Sequence, residues 1–167
     1  MHPQSTIEIP LSRGLVAIID ADDADLVLPY KWSALKVYRC PGLFYAFRNT
    51  RKDDGSYTTI LLHRHLMNPP SGKLVDHIDG DGLNNRRSNM RIATKAENMA
   101  SRRAGKMANN TTGYTGVVKG TNRSTRWYAR IGEDSRIGSF ETAEEAALAY
   151  DEECRRRYGD FCKPNFP

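Results

Sequence analysis

The chain has 167 residues, enough for one ordinary domain or two small ones. Its composition, 39% hydrophobic and 27% charged, is that of a globular protein, and no apolar run approaches the roughly 18 residues needed to span a membrane. A net charge of +5 and a pI near 9.2 favour a polyanionic partner. The N-terminus lacks the basic-then-apolar pattern of a secretory leader, so a cytoplasmic, non-secreted protein without membrane association is expected.

The charge is unevenly placed. From Thr111 to Pro167, nine basic residues stand against nine acidic ones, so the whole excess lies in the first 110 residues. Arg86, Arg87, Arg91, Lys95, Arg102, Arg103 and Lys106 are opposed only by Glu97. A solvated helix face usually mixes its signs, so this cluster points to phosphate. The cysteines, Cys40, Cys154 and Cys162, are odd in number and form no C-x-x-C pair. That argues against a disulfide framework and against structural zinc, and for a reducing compartment.

In chain order, residues 14–66 read as β-rich. Leu15 to Ile19 is an apolar run closed by acidic turn residues. Leu43–Arg48 and Tyr57–Leu62 flank Asp54-Gly55, a hairpin signal. Pro69-Pro70-Ser71-Gly72 is a break, and Leu74 to Ile78 is a short strand entering the loop Asp79-Gly80-Asp81-Gly82. Met90 to Ala93 is a second short strand. Thr94 and Glu97 form a capping box that starts a helix running toward Arg103. Residues 105–112 are polar and read as a linker between a domain over 1–104 and another over 113–167.

In the second domain, Trp127, Ala129 and Ile131 alternate with Arg126, Tyr128 and Arg130, the pattern of a half-buried strand with a basic-aromatic outer face. Gly116–Lys119 and Arg136–Phe140 are its expected neighbours. Trp127 shares the register of Ala129 and Ile131 and so is expected in the core. A second capping box, Thr142 with Glu145, opens a helix that carries Ala143, Ala146, Ala147, Tyr150, Cys154 and Tyr158 on one stripe and ends at Gly159. Glu144, Glu145, Asp151, Glu152 and Glu153 are expected on its outer side.

The chemistry concentrates between Val75 and Asn98. Breaking a phosphodiester requires an activated water and a cation that stabilises the leaving oxygen. A histidine titrates near neutrality and suits the first task; a carboxylate and an amide oxygen suit Mg²⁺ in the second. A strand, loop, strand and helix can bring Asp76, His77 and Asn98 to one point, although adjacent strand residues face opposite ways unless the strand end is twisted or bulged. Asp79-Gly80-Asp81-Gly82 lacks the distal Glu of a calcium-binding loop and reads as a tight turn. Asn84 and Asn85 read as turn residues that bond their own backbone. His63 and His65, two apart, are placed on one strand face with structural or phosphate-facing roles rather than as a metal pair.

The pattern Asp76-His77-Ile78-Asp79-Gly80-Asp81, then Asn84-Asn85-Arg86-Arg87-Ser88-Asn89-Met90-Arg91, then Glu97-Asn98 resembles the HNH endonucleases of phage introns and inteins over about residues 60–103. The resemblance implies a ββα-metal core over about 72–103. It implies His77 as general base, Asn89 as the residue that orients it, and Asp76 and Asn98 as ligands of Mg²⁺ or Mn²⁺. Asn98 stands where some members have histidine, and zinc is not expected. Arg86, Arg87 and Arg91 are the phosphate-facing cations.

Residues 113–167 resemble the AP2 domain. The resemblance rests on Gly113-Tyr114-Thr115-Gly116-Val117, Arg126-Trp127-Tyr128-Ala129-Arg130-Ile131 and the run from Ile137 to Asp151, with Gly159-Asp160-Phe161 and Asn165-Phe166-Pro167 at the end. It implies a three-stranded antiparallel sheet packed on one helix and laid in the DNA major groove. Lys119, Arg123, Arg126, Tyr128, Arg130 and Arg136 are the candidate DNA contacts. Thr115 and Val118 stand where plant members carry arginines, so plant base preferences do not transfer.

Together these readings predict an α+β protein: a site-specific DNA endonuclease of homing type, metal-dependent, acting on double-stranded DNA as a monomer or weak dimer without an obligate protein partner. The alternative is a DNA-binding transcriptional regulator whose HNH-like part is a non-catalytic scaffold.

Overall fold

The computed structural model describes residues 5–38, 40–102, 110, 112–121, 125–132 and 135–166, with the backbone alone at Arg102. The fold is α+β, built from small antiparallel sheets and few helices. Its contacts divide the chain into two units, Met1–Ala93 and Thr94–Pro167.

In the first unit, strands β1 (Thr6–Pro10) and β2 (Val16–Asp20) pair antiparallel, and a one-turn helix α1 (Ala24–Val27) follows. Strands β3 (Ser33–Lys36), β4 (Phe44–Arg51) and β5 (Tyr57–Leu61) form a meander in that order. The Asp54-Gly55 turn between β4 and β5 forms where the sequence places it. Asp54 Oδ1 accepts the Ser56 N–H, and Gly55 supplies a φ of +84°.

Helix α2 (Leu62–Met67) was not legible as a helix. The sequence suggests that the strand runs through Leu62, with His63 and His65 beyond it on one strand face. Instead Leu62 and Leu66, four apart, both enter the core, and one helical turn satisfies both. The helix stops at Asn68, which takes the left-handed conformation ahead of Pro69-Pro70. Strands β6 (Leu74–His77) and β7 (Met90–Ala93) then pair as an antiparallel ribbon. Ile9, Ala17, Ile19, Val27, Trp32, Ala46, Leu62, Leu66 and Met90 form the core of this unit.

The second unit opens with α3 (Lys95–Arg102), capped as expected: Thr94 Oγ1 accepts the Glu97 N–H, and Glu97 Oε2 accepts the Thr94 N–H. The division falls before this helix rather than after residue 104, because α3 lies against the long helix α4 (Ala143–Tyr158) and the turn that follows it. Of the expected linker, 105–109 and 111 lie outside the described residues. Asn110 and Thr112 belong to a turn in which Asn110 Oδ1 accepts the N–H groups of Thr112 and Gly113.

Strands β8 (Val117–Lys119), β9 (Trp127–Ile131) and β10 (Ser135–Phe140) form an antiparallel sheet with β9 central, and α4 packs across it. Ala129, Ile131, Ala146, Ala147, Tyr150 and Cys154 are buried between sheet and helix. Gly116 makes that approach possible, since a Cβ there would collide with the Tyr150 ring and the Arg130 carbonyl.

Two expectations are corrected here. Asp151 is not on the outer acidic side of α4. It is buried, and it accepts the N–H groups of Asn165 and Phe166 and the Asn165 Nδ2, which fastens the C-terminal segment. Cys154 and Cys162 are joined by a disulfide across Cα atoms 5.6 Å apart. Cysteine count and spacing gave no sign of it, because Gly159 folds the chain back on the helix end.

Candidate active site

His77 is the last residue of β6, and its strand pairs with β7 without a register break. No bulge therefore turns Asp76 and His77 to one face of the ribbon. Both side chains are nonetheless buried, at 5% and 6% exposure. Asp76 stands directly across from Arg91 in the ribbon. Its Oδ2 accepts the Arg91 Nε–H at 2.9 Å and lies 2.9 Å from the second guanidinium nitrogen.

The loop after His77 is held by its own polar groups. Asp79 Oδ1 accepts the Asp81 N–H and the Asn89 amide, while Oδ2 accepts the Asn84 amide. Burial raises the Asp79 carboxyl, but the hydrogen bonds from Asn89, the Asp81 N–H and Asn84 outweigh it, so Asp79 is held below its usual value. The acidic loop thus spends its carboxylates internally, as a tight turn does. Asn85 bonds the Leu83 carbonyl, as expected of a turn residue. Gly82 permits the loop to lie on β4, since a Cβ there would strike the Phe44 carbonyl and the Tyr45 ring.

Asn89 acts on this loop and not directly on the His77 ring. Its Oδ1 accepts the Asp79 N–H, its Nδ2 donates to Asp79 Oδ1 and the Asn84 carbonyl, and its backbone carbonyl accepts the Ile78 N–H. The histidine is therefore set through the backbone on its C-terminal side.

The N-terminal strands hold the same loop from the other side, a role the sequence did not reveal. The Ile18 N–H donates to the Leu83 carbonyl and the Asn85 N–H to the Ile18 carbonyl. Asp20 Oδ2 accepts the Arg87 N–H at 2.8 Å, and Asp23 takes the Arg87 guanidinium at 2.7 Å. Asp20 is buried, so Asp20→Ala should leave that N–H unpartnered and lower the unfolding free energy by about 1–3 kcal/mol, as read by urea titration. A change within error would mean that the clamp is dispensable.

Of the expected phosphate-facing cations, Arg87 is engaged by Asp23, Arg91 by Asp76, and Arg86 donates its Nε–H to Asn84 Oδ1. All three brace the site from within.

Two further residues line His77. The rings of Tyr45 and His63 lie 5.9 and 5.2 Å from it, centre to centre, with His63 nearly perpendicular at 88°. His63 comes from α2. His65, on the same helix, lies with Tyr30 and Trp32 and reaches the Leu26 carbonyl through Nε2. Burial pushes the His77 imidazole down from its usual value, against the opposing pull of Asn85, Asp79, Asp76 and Asp81. Burial, reinforced by His77 and Arg64, pushes His63 from 6.5 down to about 3.

That shift has a stability consequence. As pH falls through 6.5 the unfolded chain takes up a proton at His63, and the folded chain does not until about 3. The His63 contribution is therefore complete above 6.5 and is lost progressively below it, at a slope approaching about 1.4 kcal/mol per pH unit. Urea titrations between pH 7.5 and 4.5 should show this slope, and His63→Gln should flatten it. Parallel curves for the two proteins would contradict the assignment.

The sheet of the second unit carries its own cluster. Arg130 and Arg136 face each other directly across β9 and β10, and the Arg136 guanidinium sits 4.2 Å over the Tyr128 ring. Like charges directly opposed are unfavourable in a sheet, so the pair is suited to an anion. Arg126 donates to the Ser139 carbonyl. Lys119 differs from expectation: it pairs with Trp127, on the side of the core, and its Nζ lies 5.6 Å over that ring. Arg123 lies outside the described residues. Trp127 is half-buried against the core, as its alternation with Ala129 and Ile131 predicts.

A family model for HNH endonucleases matches residues 63–100, from His63 through α3. An uncharacterized HNH endonuclease of Acanthamoeba polyphaga mimivirus is 27% identical over 159 residues, covering 92% of this chain and 76% of that protein. Dehydration-responsive element-binding protein 2E of Oryza sativa subsp. japonica is 51% identical over 47 residues, which is 25% of this chain and 15% of that protein. Its counterpart 2A of Arabidopsis thaliana is 45% identical over 47 residues, 25% of this chain and 14% of that protein. No solved structure matches. The family match supports a nuclease at the level of the HNH class. Among the described residues no helix is long and apolar enough to cross a membrane.

Proposed function

We propose that this chain is a metal-dependent, site-specific DNA endonuclease of homing type. The observation that carries this reading is His77: a buried histidine next to a buried carboxylate, inside the segment that the HNH family model matches. His77 takes the proton of the attacking water. Asn89 holds the loop that fixes the His77 backbone. Asp76 and Asn98 would be the oxygen ligands of a Mg²⁺ or Mn²⁺ ion, with DNA phosphate and waters to complete the set. When bound, the ion supplies charge stabilisation at the scissile phosphate.

Residues 113–167 supply the address in this reading, with Arg126, Tyr128, Arg130 and Arg136 against duplex DNA. The short similarity to two plant element-binding proteins also suits a regulator with a silent nuclease scaffold. The complete set Asp76, His77, Asn89 and Asn98 favours the enzyme. The test of the address is a cleavage map on one long DNA. Arg130→Ala should relax preference at one or two base pairs, a loss of about 1–3 kcal/mol of discrimination, with the same rate at saturating DNA. An unchanged map would remove the sheet from target selection.

A further inference from the structure

We propose that His63 is a positioning residue for His77: its Nδ1 accepts the His77 Nε2–H, directly or through one water, and so leaves the His77 lone pair on Nδ1 to take the water proton. This rests on the nuclease reading for its catalytic consequence and on the packing alone for the contact.

Four observations lead to it. Both rings are 6% exposed. They touch edge to face at 5.2 Å. Among the described residues the buried atoms His63 Nδ1 and His77 Nε2 each lack a hydrogen-bond partner, although buried polar atoms are nearly always paired. Finally, the Asn89 side chain is spent on the 79–84 loop, so the imidazole has no orienting bond from it.

The chemistry requires such a partner. A neutral imidazole has one donor and one acceptor nitrogen, and the bond made by one nitrogen decides which role the other plays. A general base without that bond divides itself between two tautomers, only one of which has its lone pair toward the water. His63 is suited to accept, because burial keeps it neutral. Leu62 and Leu66 fix the helix turn that presents it, and the Tyr45 ring packs on both histidines, at 5.1 and 5.9 Å.

Asn85 is the competing acceptor. Its Oδ1 is also buried and unpartnered, and its amide lies near enough to His77 to favour the charged ring, yet the two complete no hydrogen bond. His63 and Asn85 cannot both accept from His77 in the working enzyme, because protons on both nitrogens would leave no lone pair.

The test is long-range ¹H–¹⁵N correlation of the His77 ring in the full chain, joined to cleavage kinetics. Wild type should show the Nε2–H tautomer. His63→Gln, which retains an acceptor oxygen, should keep that tautomer and most of the activity. His63→Leu should mix the tautomers and lower kcat roughly 10- to 100-fold with KM unchanged. Asn85→Leu should leave the tautomer as it is. An Nδ1–H tautomer in wild type overturns the proposal, as does an Asn85→Leu change with none in His63→Leu. If His63→Leu fails to fold, the wild-type and His63→Gln spectra still decide. The tautomer is read without cleavage, so a chain that proves not to be a nuclease leaves the His63–His77 contact separately testable.

Discussion

His77→Ala is expected to slow DNA cleavage by about 10²–10⁴-fold while leaving DNA affinity nearly unchanged. The expectation follows from where the ring sits. His77 is buried among Tyr45 and His63, at the end of a ribbon whose opposite strand and following loop are fixed by Asn89, Asp79 and Asp20. Truncating it removes a group from the reaction without removing a cation that meets phosphate. Single-turnover rates at saturating DNA, with affinity measured in EDTA, separate the two effects. A variant that cuts at the wild-type rate would show that another group activates the water.

Loss of the metal should have a comparable effect. EDTA should stop cleavage and leave the melting curve in place, because the core of the first unit is an apolar cluster around Ile19, Val27, Trp32 and Leu62 and its loop is tied by hydrogen bonds. Asp76→Asn keeps a hydrogen-bond oxygen for Arg91 but removes its counter-charge, so the fold of the variant is checked by circular dichroism beside its activity. It should still lose several kcal/mol of transition-state stabilisation, each 1.4 kcal/mol being about tenfold in rate. Calorimetry with Mn²⁺ and a non-cleavable duplex should show weaker metal binding in Asp76→Asn. Equal binding in the two proteins would move the ion elsewhere.

The parts of the fold that the sequence revealed are those with local signals. Both capping boxes, at Thr94 and Thr142, form with reciprocal bonds, and the Trp127–Ile131 alternation correctly separates a core face from a basic one. The loop after His77 was legible as a tight turn because Asp79-Gly80-Asp81-Gly82 carries the signals of one. What was not legible depended on distance along the chain. Asp20 and Asp23 reach Arg87 across more than sixty residues, and nothing in their local pattern announces it. His63 was hidden for a different reason: Leu62 and Leu66 are too few to display a helical period, so the histidine pair was assigned to a strand face. Arg87 and Arg91 show what charge alone leaves out. A basic run invites a phosphate, yet each of these guanidinium groups is held by a buried aspartate of the same unit.

If His77 activates water for metal-dependent hydrolysis of DNA, nicking of supercoiled plasmid will depend on both the histidine and the ion. The full chain and His77→Ala, matched by circular dichroism, are incubated with plasmid in Mg²⁺ and in EDTA. The account predicts relaxed or linear product from the wild type in Mg²⁺ alone, with His77→Ala slower by at least about 10²-fold. Equal cutting by the two proteins, or cutting that continues in EDTA, would contradict it.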